Sequence, residues 1–284
     1  MAFRLICAVA FLVIVAGCEK KQGSPEAGST GAAPAPAAGG GTAAQPAGAP
    51  AAAGAEILDP AKVANPATIT GTITVDGTVP APSPVDMSSK PECVMLHGGK
   101  PVNAENLDAG ANKELKNVFV YVKKGLEKYS KFAVPAKPVE IDQKGCVYVP
   151  HVFGIQVGQD LEIVNGDTFL HNVKNNDIQL NLAQPSGAKP EIKKAPFKRE
   201  SVPSKFQCDV HSWMNAYACV VKHPYYSVTG ADGKFTIQGL PAGKYTLAVW
   251  HEVVPGLKAA QTEVEVEVKD GETKTQDFKY NYAP

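Results

Sequence analysis

The stretch Phe206-Gln-Cys-Asp-Val-His-Ser-Trp-Met214 places a thiol, an imidazole and a thioether at the spacing Cys-x2-His-x2-Met. Upstream, a second histidine ends the loop in the run Asn165-Gly-Asp-Thr-Phe-Leu-His-Asn-Val173. One thiolate, two imidazoles and a weak axial thioether are the ligands of blue-copper electron-transfer sites. The sequence therefore predicts one copper ion, bound by four side chains: His171, Cys208, His211 and Met214.

Two other interpretations of Cys208 remain open. The thiol could form a disulfide with Cys219 on the following strand, in place of a metal bond. A zinc site is disfavoured, because structural zinc is held by more thiolates or histidines and not by methionine. If Cys208 is a ligand, we expect Cys219 to be a buried thiol.

The rest of the chain after about residue 66 has the pattern of β-strands. Apolar and polar residues alternate with period two in Ala67–Val75, Lys116–Val122 and Thr262–Val268. Asp-Gly turn signals at 76–77 and 270–271 end two of these segments. No segment shows a sustained helical period, although residues 88–112 leave room for one helical turn. The pattern predicts an all-β fold of sandwich type.

Residues 146–173 resemble the middle strands of cupredoxins, the family of small blue-copper proteins. The 208–214 loop is similar to the short ligand loop of amicyanin, including the aromatic Trp213 before the methionine. The resemblance implies a Greek-key copper domain over residues 138–223, with Asn172 hydrogen-bonded across to the segment of Cys208. It also implies that electrons leave through His211, whose edge reaches solvent in this family. Trp213 is expected to be either an exposed docking aromatic or a core residue.

Residues 227–252 resemble the prealbumin-like repeat of carboxypeptidase regulatory domains. The segments 71–77 and 117–122 look like the other half of that small sandwich. The resemblance implies a regulatory-like sandwich made of two parts, 66–137 and 224–284, with the copper domain inserted between them. Two successive sandwiches remain the alternative.

The N-terminus predicts export and lipid attachment. Residues 1–17 combine one positive charge with a short apolar run, which fits a signal peptide and is too short for a membrane span. Val15-Ala-Gly-Cys18 resembles a bacterial lipobox, which implies lipidation of Cys18; an ordinary secretory signal is the alternative. Glu19, rather than aspartate, favours the periplasmic face of the outer membrane. Residues 18–65 are rich in Ala, Gly and Pro, and we predict a disordered tether.

The remaining cysteines and the charge balance restrict the function further. In an oxidising compartment Cys93 and Cys146 could pair and tie an upstream loop to a strand. Lysine plus arginine equals aspartate plus glutamate at 28 each, which gives no reason to expect a nucleic-acid partner. The other histidines are expected to be structural, although His251 could pack near the copper loop.

These features together predict a lipid-anchored copper protein that carries single electrons in the bacterial envelope. A c-type cytochrome or a dehydrogenase is the expected redox partner. No catalytic nucleophile with its base, phosphate loop or carboxylate dyad stands out, so we do not expect an enzyme. Two alternatives remain: a copper-storage or copper-handling lipoprotein, and a structural β-sandwich module with a degenerate copper site.

Overall fold

A computed structural model describes residues 56–284, in which strands make up nearly all of the regular secondary structure. The predicted signal peptide, the lipidation of Cys18 and most of the predicted tether lie outside the described residues. The first strands are β1 (Glu56–Leu58), β2 (Ala67–Asp76), β3 (Phe119–Lys124) and β4 (Tyr129–Phe132). The central strands are β5 (Val139–Gln143), β6 (Tyr148–Val149), β7 (Val152–Gln156), β8 (Leu161–Asn165), β9 (His171–Asn175), β10 (Leu180–Gln184), β11 (Glu191–Lys193), β12 (Ser201–Gln207) and β13 (Asn215–Val221). The last strands are β14 (Tyr226–Val228), β15 (Lys234–Leu240), β16 (Gly243–Trp250), β17 (Leu257–Ala259), β18 (Glu263–Val268), β19 (Thr273–Thr275) and β20 (Phe278–Tyr282).

Strands β5 to β13 form a sandwich of two sheets, which we call the middle sandwich. One sheet has the order β10-β9-β12-β13-β7 and the other the order β11-β8-β5-β6. Inward-facing residues of both sheets share one apolar cluster, so the sheets pack face to face. Its fully buried members include Ile141, Ile155, Leu161, Ile163, Val173, Phe206 and Val220.

Strands β2, β3 and β14 to β20 form a second pair of sheets, the flanking sandwich. Their orders are β14-β3-β16-β18 and β15-β2-β20-β17, with β19 added on β2. Along β2 the apolar residues are buried and the threonines between them are half-buried, as period-two alternation requires. The all-β sandwich prediction is thereby confirmed.

The predicted tether is too long at its C-terminal end. Residues Glu56–Leu58 form a strand that pairs in parallel with β4, and a 3₁₀ turn follows at Pro60–Lys62. The reason is apolar burial: the side chain of Leu58 belongs to the core of the flanking sandwich. Regular secondary structure therefore begins before residue 66.

The two sandwiches meet along β13, which is buried on both of its faces. Ala216, Ala218 and Val220 face the core of the middle sandwich, whereas Tyr217, Cys219 and Val221 join a second cluster with Phe119. Cys219 is a free, buried thiol and forms no disulfide with Cys208, which is also free. A continuous apolar strand of this kind holds the copper loop, at its N-terminal end, in a fixed position.

Residues 83–104 form a segment that we call the cap. Its two ends pair with each other: the Val85 amide donates to the Val102 carbonyl at 2.7 Å, and Pro84 and Asn103 form an antiparallel bridge. Between them lies the one α-helix of the described residues, α1 (Pro91–Leu96). No helix in the described part of the chain has the length and apolarity that a membrane span needs.

The cap is attached to the middle sandwich by a disulfide. Cys93 in α1 is bonded to Cys146 just before β6. Nearby, a ring nitrogen of His97 lies 2.8 Å from the carbonyl oxygen of Gly145. The bridge spans 53 residues of sequence, so it fixes a long loop onto the site-bearing sandwich.

Candidate metal centre

The first histidine is delivered by a loop that one asparagine shapes. At the end of β8, the Asn165 side-chain amide donates to the carbonyls of Phe169 and Gln184 at 2.9 and 2.8 Å. Its side-chain oxygen accepts from the Asp167 amide at 3.1 Å. An asparagine whose side chain hydrogen-bonds both to its own loop and to a neighbouring strand fixes the conformation of the turn. His171 is consequently fixed at the first position of β9.

The other three predicted ligands lie on the connection between β12 and β13. The Cys208 amide donates to the Met214 carbonyl at 3.2 Å, and the Met214 amide donates to the His211 carbonyl at 3.0 Å. The His211 amide points at the Cys208 sulfur, at 3.3 Å. These bonds close the loop tightly, so the cysteine and both of its following ligands come from one rigid turn.

The structure brings His171, Cys208 and His211 together in the interior. The two Nδ1 atoms are 3.0 Å apart, and the Cys208 Sγ lies 3.7 Å from the His211 Nδ1. All three donor atoms lie within 4.8 Å of one another. His171 is 0% exposed, Cys208 5%, His211 1% and Met214 2%.

The orientation of His171 is set by Asp167. The His171 Nε2 donates to the Asp167 carboxylate at 2.8 Å, so loss of the other ring proton would give a neutral ring whose Nδ1 lone pair can bind a metal. Asp167 also accepts from the amides of Gly145 and Cys146 at 2.8 and 2.9 Å. A histidine whose outer nitrogen donates to a carboxylate is the usual arrangement behind a metal ligand.

The protonation of the three donors differs with their surroundings. Burial lowers the pKa of His171, but the hydrogen bond to Asp167 outweighs it, so that pKa is raised above its ordinary value. Burial, with the neighbouring His171, lowers the pKa of His211 to about 4. Burial raises the pKa of Cys208, but hydrogen bonds from His171 and the His211 amide bring it below its ordinary value. The lowered pKa values favour the thiolate of Cys208 and the neutral ring of His211, the forms that bind metal, whereas the raised pKa of His171 favours its protonated ring, whose proton a metal has to displace.

The donor set fits a small, soft cation. Imidazole nitrogens sit about 2.0–2.1 Å and thiolates about 2.3 Å from a tetrahedrally bound ion, so donors on one ion lie roughly 3–4 Å apart. The separations of 3.0 and 3.7 Å meet that requirement before any metal is bound. Two imidazoles, one thiolate and a thioether on the same loop suit copper better than zinc. His171, Cys208 and His211 would hold the ion, with Met214 beside them.

The cap covers the face of the site where an exposed histidine edge was expected. His211 is buried, and its Nε2 has no hydrogen-bond partner. A ring nitrogen of His211 lies within 4.8 Å of the sulfurs of both Cys93 and Cys146. The prediction of a solvent-exposed His211 edge is therefore wrong, because the disulfide-bonded cap occupies that space. The cap packs there in an apolar cluster made of Met87, Cys93, Cys146, Phe169 and Trp213, with four valines around it.

Trp213 is neither fully exposed nor fully buried. Its ring lies 5.3 Å from the His211 ring and packs in two apolar clusters, yet the residue is only half-buried. Its Nε1 donates to the Cys146 carbonyl at 2.9 Å. Trp213 and Met214 also line a cavity of about 120 Å³, together with His151 and Glu252. Trp213 is therefore an aromatic contact between the buried His211 and open space.

The remaining predicted residue, Asn172, joins the two ligand segments. Its side-chain oxygen accepts from the Asp209 amide at 3.1 Å, next to Cys208. Its side-chain nitrogen donates to the Leu182 carbonyl at 3.2 Å. The loop that carries Cys208 is thereby fastened to β9 and, through it, to β10.

The other histidines lie away from the donor cluster. His151 bonds to Glu252 at 2.8 Å, at the junction of the two sandwiches. A ring nitrogen of His251 lies 2.9 Å from the carbonyl oxygen of Glu252, and the ring packs against Tyr280. His223 packs against Phe132 in the flanking sandwich.

Two features of the site were missed in the sequence. Asp167 fixes the orientation of the His171 ring. In the sequence it could have been recognised as an acidic residue four positions before the histidine. The cap over His211 had only the paired cysteines as a signal, and these do not reveal which surface the loop covers. Both features act on the histidines from outside the ligand motif.

One family profile matches part of the chain. It is that of polysaccharide lyase family 4, domain II, and it covers residues 194–276. This range runs from before β12 to β19, across the junction of the middle and flanking sandwiches, and is well under half of the chain. No curated protein matches.

Among solved structures the chain is similar to copper proteins, at low scores. A Cu-containing nitrite reductase from Thermus scotoductus SA-01 has 24% identity and a TM-score of 0.26, over 31% of this chain and 23% of that one. A novel purple cupredoxin from Nitrosopumilus maritimus has 24% identity and a TM-score of 0.24, over 29% and 98%. An amicyanin from Paracoccus versutus has 20% identity and a TM-score of 0.23, over 36% and 96%. These likenesses are too distant to decide the metal, so the donor atoms of the site have to carry that assignment.

Proposed function

We propose that this chain binds one type 1 copper ion through His171, Cys208, His211 and Met214 and carries single electrons between redox partners. The supporting observation is the buried cluster of two Nδ1 atoms and one sulfur at 3.0 and 3.7 Å. A bound copper ion supplies a one-electron couple. Because four protein donors leave no coordination position open for a substrate, we propose a carrier and not an enzyme.

The protein's part in this function is to keep the donors still. Asp167 holds one imidazole, Asn172 holds the loop of Cys208, and the cap packs against the other imidazole. Donors that come from a preorganised frame change little in position when the charge of the ion changes. Little reorganisation is what fast electron transfer needs.

The route to a partner is proposed to run from His211 through Trp213. His211 itself has no exposed edge, whereas the half-buried Trp213 ring lies 5.3 Å from it. The partner is proposed to be a c-type cytochrome or a dehydrogenase. The site of action is proposed to be the bacterial envelope, with the lipidated Cys18 as the membrane anchor on the outer membrane.

The experiment is a Cu(II) titration of the full chain, followed by visible spectroscopy. We expect one equivalent to give an intense sulfur-to-copper charge-transfer band, because a thiolate is the ligand responsible for it. Cys208→Ser should abolish the band, and Cys219→Ser, at the other free cysteine, should keep it. A wild-type chain that stays colourless would refute the proposal.

Copper storage or handling is a second candidate, and the burial of His211 favours it. A sealed ion exchanges slowly and is reached poorly by a partner, which suits retention better than transfer. Voltammetry separates the two: a fast reversible couple supports the carrier, and a slow or irreversible one supports handling.

For the flanking sandwich we propose a prealbumin-like mounting role, since a carrier needs only the middle sandwich.

A further inference from the structure

The disulfide lies against the proposed copper centre, not merely near it. The sulfurs of Cys93 and Cys146 and a ring nitrogen of His211 lie within 4.8 Å of one another. The sulfur of Cys146 also lies within 4.8 Å of a ring nitrogen of His171 and an oxygen of Asp167. Every one of these residues is buried. One sulfur of the bond that fastens the cap, that of Cys146, therefore lies within 4.8 Å of a ring nitrogen of each histidine of the proposed centre.

His211 has an unused donor on this side. Its Nδ1 faces His171 and Cys208, and its Nε2 is buried without a hydrogen-bond partner. A buried nitrogen without a partner costs free energy, about 1–3 kcal/mol. This nitrogen of the described structure is therefore available to bind a metal ion. The sulfurs beside it are weak metal ligands while they form a disulfide, because they carry no charge.

Reduction changes the chemistry of the two sulfurs. A dithiol converts the Cys93–Cys146 bond into two thiols by exchange: two electrons and two protons pass to the cysteines, and the dithiol becomes a disulfide. When the two thiols bind a metal ion they release their protons to solvent and become thiolates beside an imidazole. Two thiolates with one imidazole form a soft donor set that selects Cu(I).

We propose that, in the reduced chain, Cys93, Cys146 and His211 form a second metal site that binds Cu(I). The site shares His211 with the proposed copper centre but does not need that centre to be loaded. Exchange with an external disulfide, which takes up the two electrons and two protons and becomes a dithiol, re-forms the Cys93–Cys146 bond, removes both thiolates and closes the cap over His211. The same cysteine pair therefore serves as a metal-loading site when reduced and as a lock on the centre when oxidised.

The test uses the full chain carrying Cys208→Ser, so that the proposed centre lacks its thiolate. The disulfide is reduced with a phosphine, which gives up two electrons and takes oxygen from water while the water protons go to the thiols. After the phosphine is removed under argon, Cu(I) is titrated against a chromogenic Cu(I) chelator. The reduced chain is expected to bind one more Cu(I) per chain than the oxidised chain.

The matched controls assign the extra ion. A Cys93→Ser/Cys146→Ser variant in the same background, treated with the phosphine in the same way, should lose it. His211→Ala should weaken its binding at least about tenfold, since even the loss of a residue that supports a ligand costs that much. Retention of the extra ion by the double serine variant would overturn the proposal, because it would place the ion on other cysteines. Equal Cu(I) binding by the reduced and oxidised chains would overturn it too.

A second measurement covers the case in which the serine variants fold poorly. X-ray absorption at the copper edge of the reduced Cys208→Ser chain should show two sulfur neighbours and one imidazole nitrogen. A shell of nitrogens alone, or one of three sulfurs, would contradict the assignment. Failure of the proposed centre is a separate result, since it is read from the Cu(II) band of the oxidised wild-type chain.

Discussion

The two histidines of the centre are held in opposite ways. On one side is a polar wall, where Asp167 accepts the outer nitrogen of His171 at 2.8 Å and Asn165 shapes the loop. On the other side is an apolar wall, where the Trp213 ring lies 5.3 Å from the His211 ring, the disulfide sulfurs lie within 4.8 Å of a His211 ring nitrogen, and the outer nitrogen of His211 has no partner. Hydrogen bonds fix the direction of a ring, whereas packing fixes only the space around it.

This difference predicts which side governs which property. The polar wall should set metal affinity and its pH dependence, because a charged acceptor controls the basicity of the ligand. The apolar wall should set the rate of copper release and the rate of electron transfer to a partner, because it excludes water and partners. Mutations on one wall should therefore leave the property of the other nearly unchanged.

Breaking the apolar wall is expected to have the largest effect. Cys93→Ser/Cys146→Ser opens a loop of 53 residues, and the chain-entropy relation gives a loss of about 4 kcal/mol in the free energy of unfolding. Opening the cap should also speed the loss of copper to a chelator. Denaturant unfolding and stopped-flow chelation measure the two effects.

The control for that variant is Cys219→Ser, which removes a buried thiol and leaves the disulfide intact. It should release copper at the rate of wild type, whereas the double serine variant should release copper faster. Equal release rates in all three samples would show that the cap does not close the site.

Breaking the polar wall should act on affinity. Asp167→Asn keeps the size of the side chain but removes its charge, and we expect copper affinity to fall about 10–100-fold, as for other residues that support metal ligands. Competition with a Cu(II) chelator measures this. Asp209→Asn is the matched control, because Asp209 is an exposed aspartate next to Cys208; a comparable loss there would show that charge alone matters.

The pH dependence should separate the two histidines. A proton on a ligand competes with the metal, so affinity falls as pH drops through the pKa of each histidine. His171 has a raised pKa, so the first loss is expected from pH values above 6.5 downward. His211, with a pKa of about 4, should compete only near pH 4. Chelator competition across this range should show two separate phases, and a single phase would contradict the contrast.

In the chain without copper, the raised pKa of His171 and the lowered pKa of His211 change the free energy of unfolding with pH in opposite directions. The unfolded chain binds a proton at His211 between pH 6.5 and 4 and the folded chain does not, so this residue makes stability fall as pH falls. The raised pKa of His171 contributes stability that is present below 6.5 and lost as pH rises through that pKa. Asp167→Asn should remove the second contribution, which urea unfolding at several pH values can measure.

Much of the fold and the ligand set could be predicted from local patterns. Alternation of apolar residues in Ala67–Val75 specifies a strand by itself, and β2 covers those residues. The ligand loop could also be read locally, since Cys208, His211 and Met214 lie on one turn. The structure places His171 beside Cys208 and His211, and metal binding by these residues and Met214 stays a prediction.

The environment of the ligands could not be predicted in the same way. Burial of His211 depends on a segment more than a hundred residues earlier, and nothing in residues 83–104 specifies the surface that they cover. The contact arises only when Cys93 reaches Cys146 in the folded chain. Residues 56–62 belong to the predicted tether because their neighbours are rich in Ala and Pro, whereas in the structure Glu56–Leu58 pair with β4 and Leu58 is buried.

The smallest expected effect tests the route out of the apolar wall. Trp213→Phe keeps an aromatic ring beside His211 but removes the bond from Nε1 to the Cys146 carbonyl, which should cost about 1 kcal/mol of stability. Copper affinity should stay unchanged, because the substitution changes no ligand and no hydrogen bond to a ligand.

Electron self-exchange, measured by NMR line broadening, should slow with Trp213→Phe and slow further with Trp213→Leu. Trp250→Phe, at the other tryptophan, where the two sandwiches meet, is the control and should leave the exchange rate alone. If Trp213→Leu exchanged electrons as fast as wild type, the route would have to leave the centre past His171, through the polar wall.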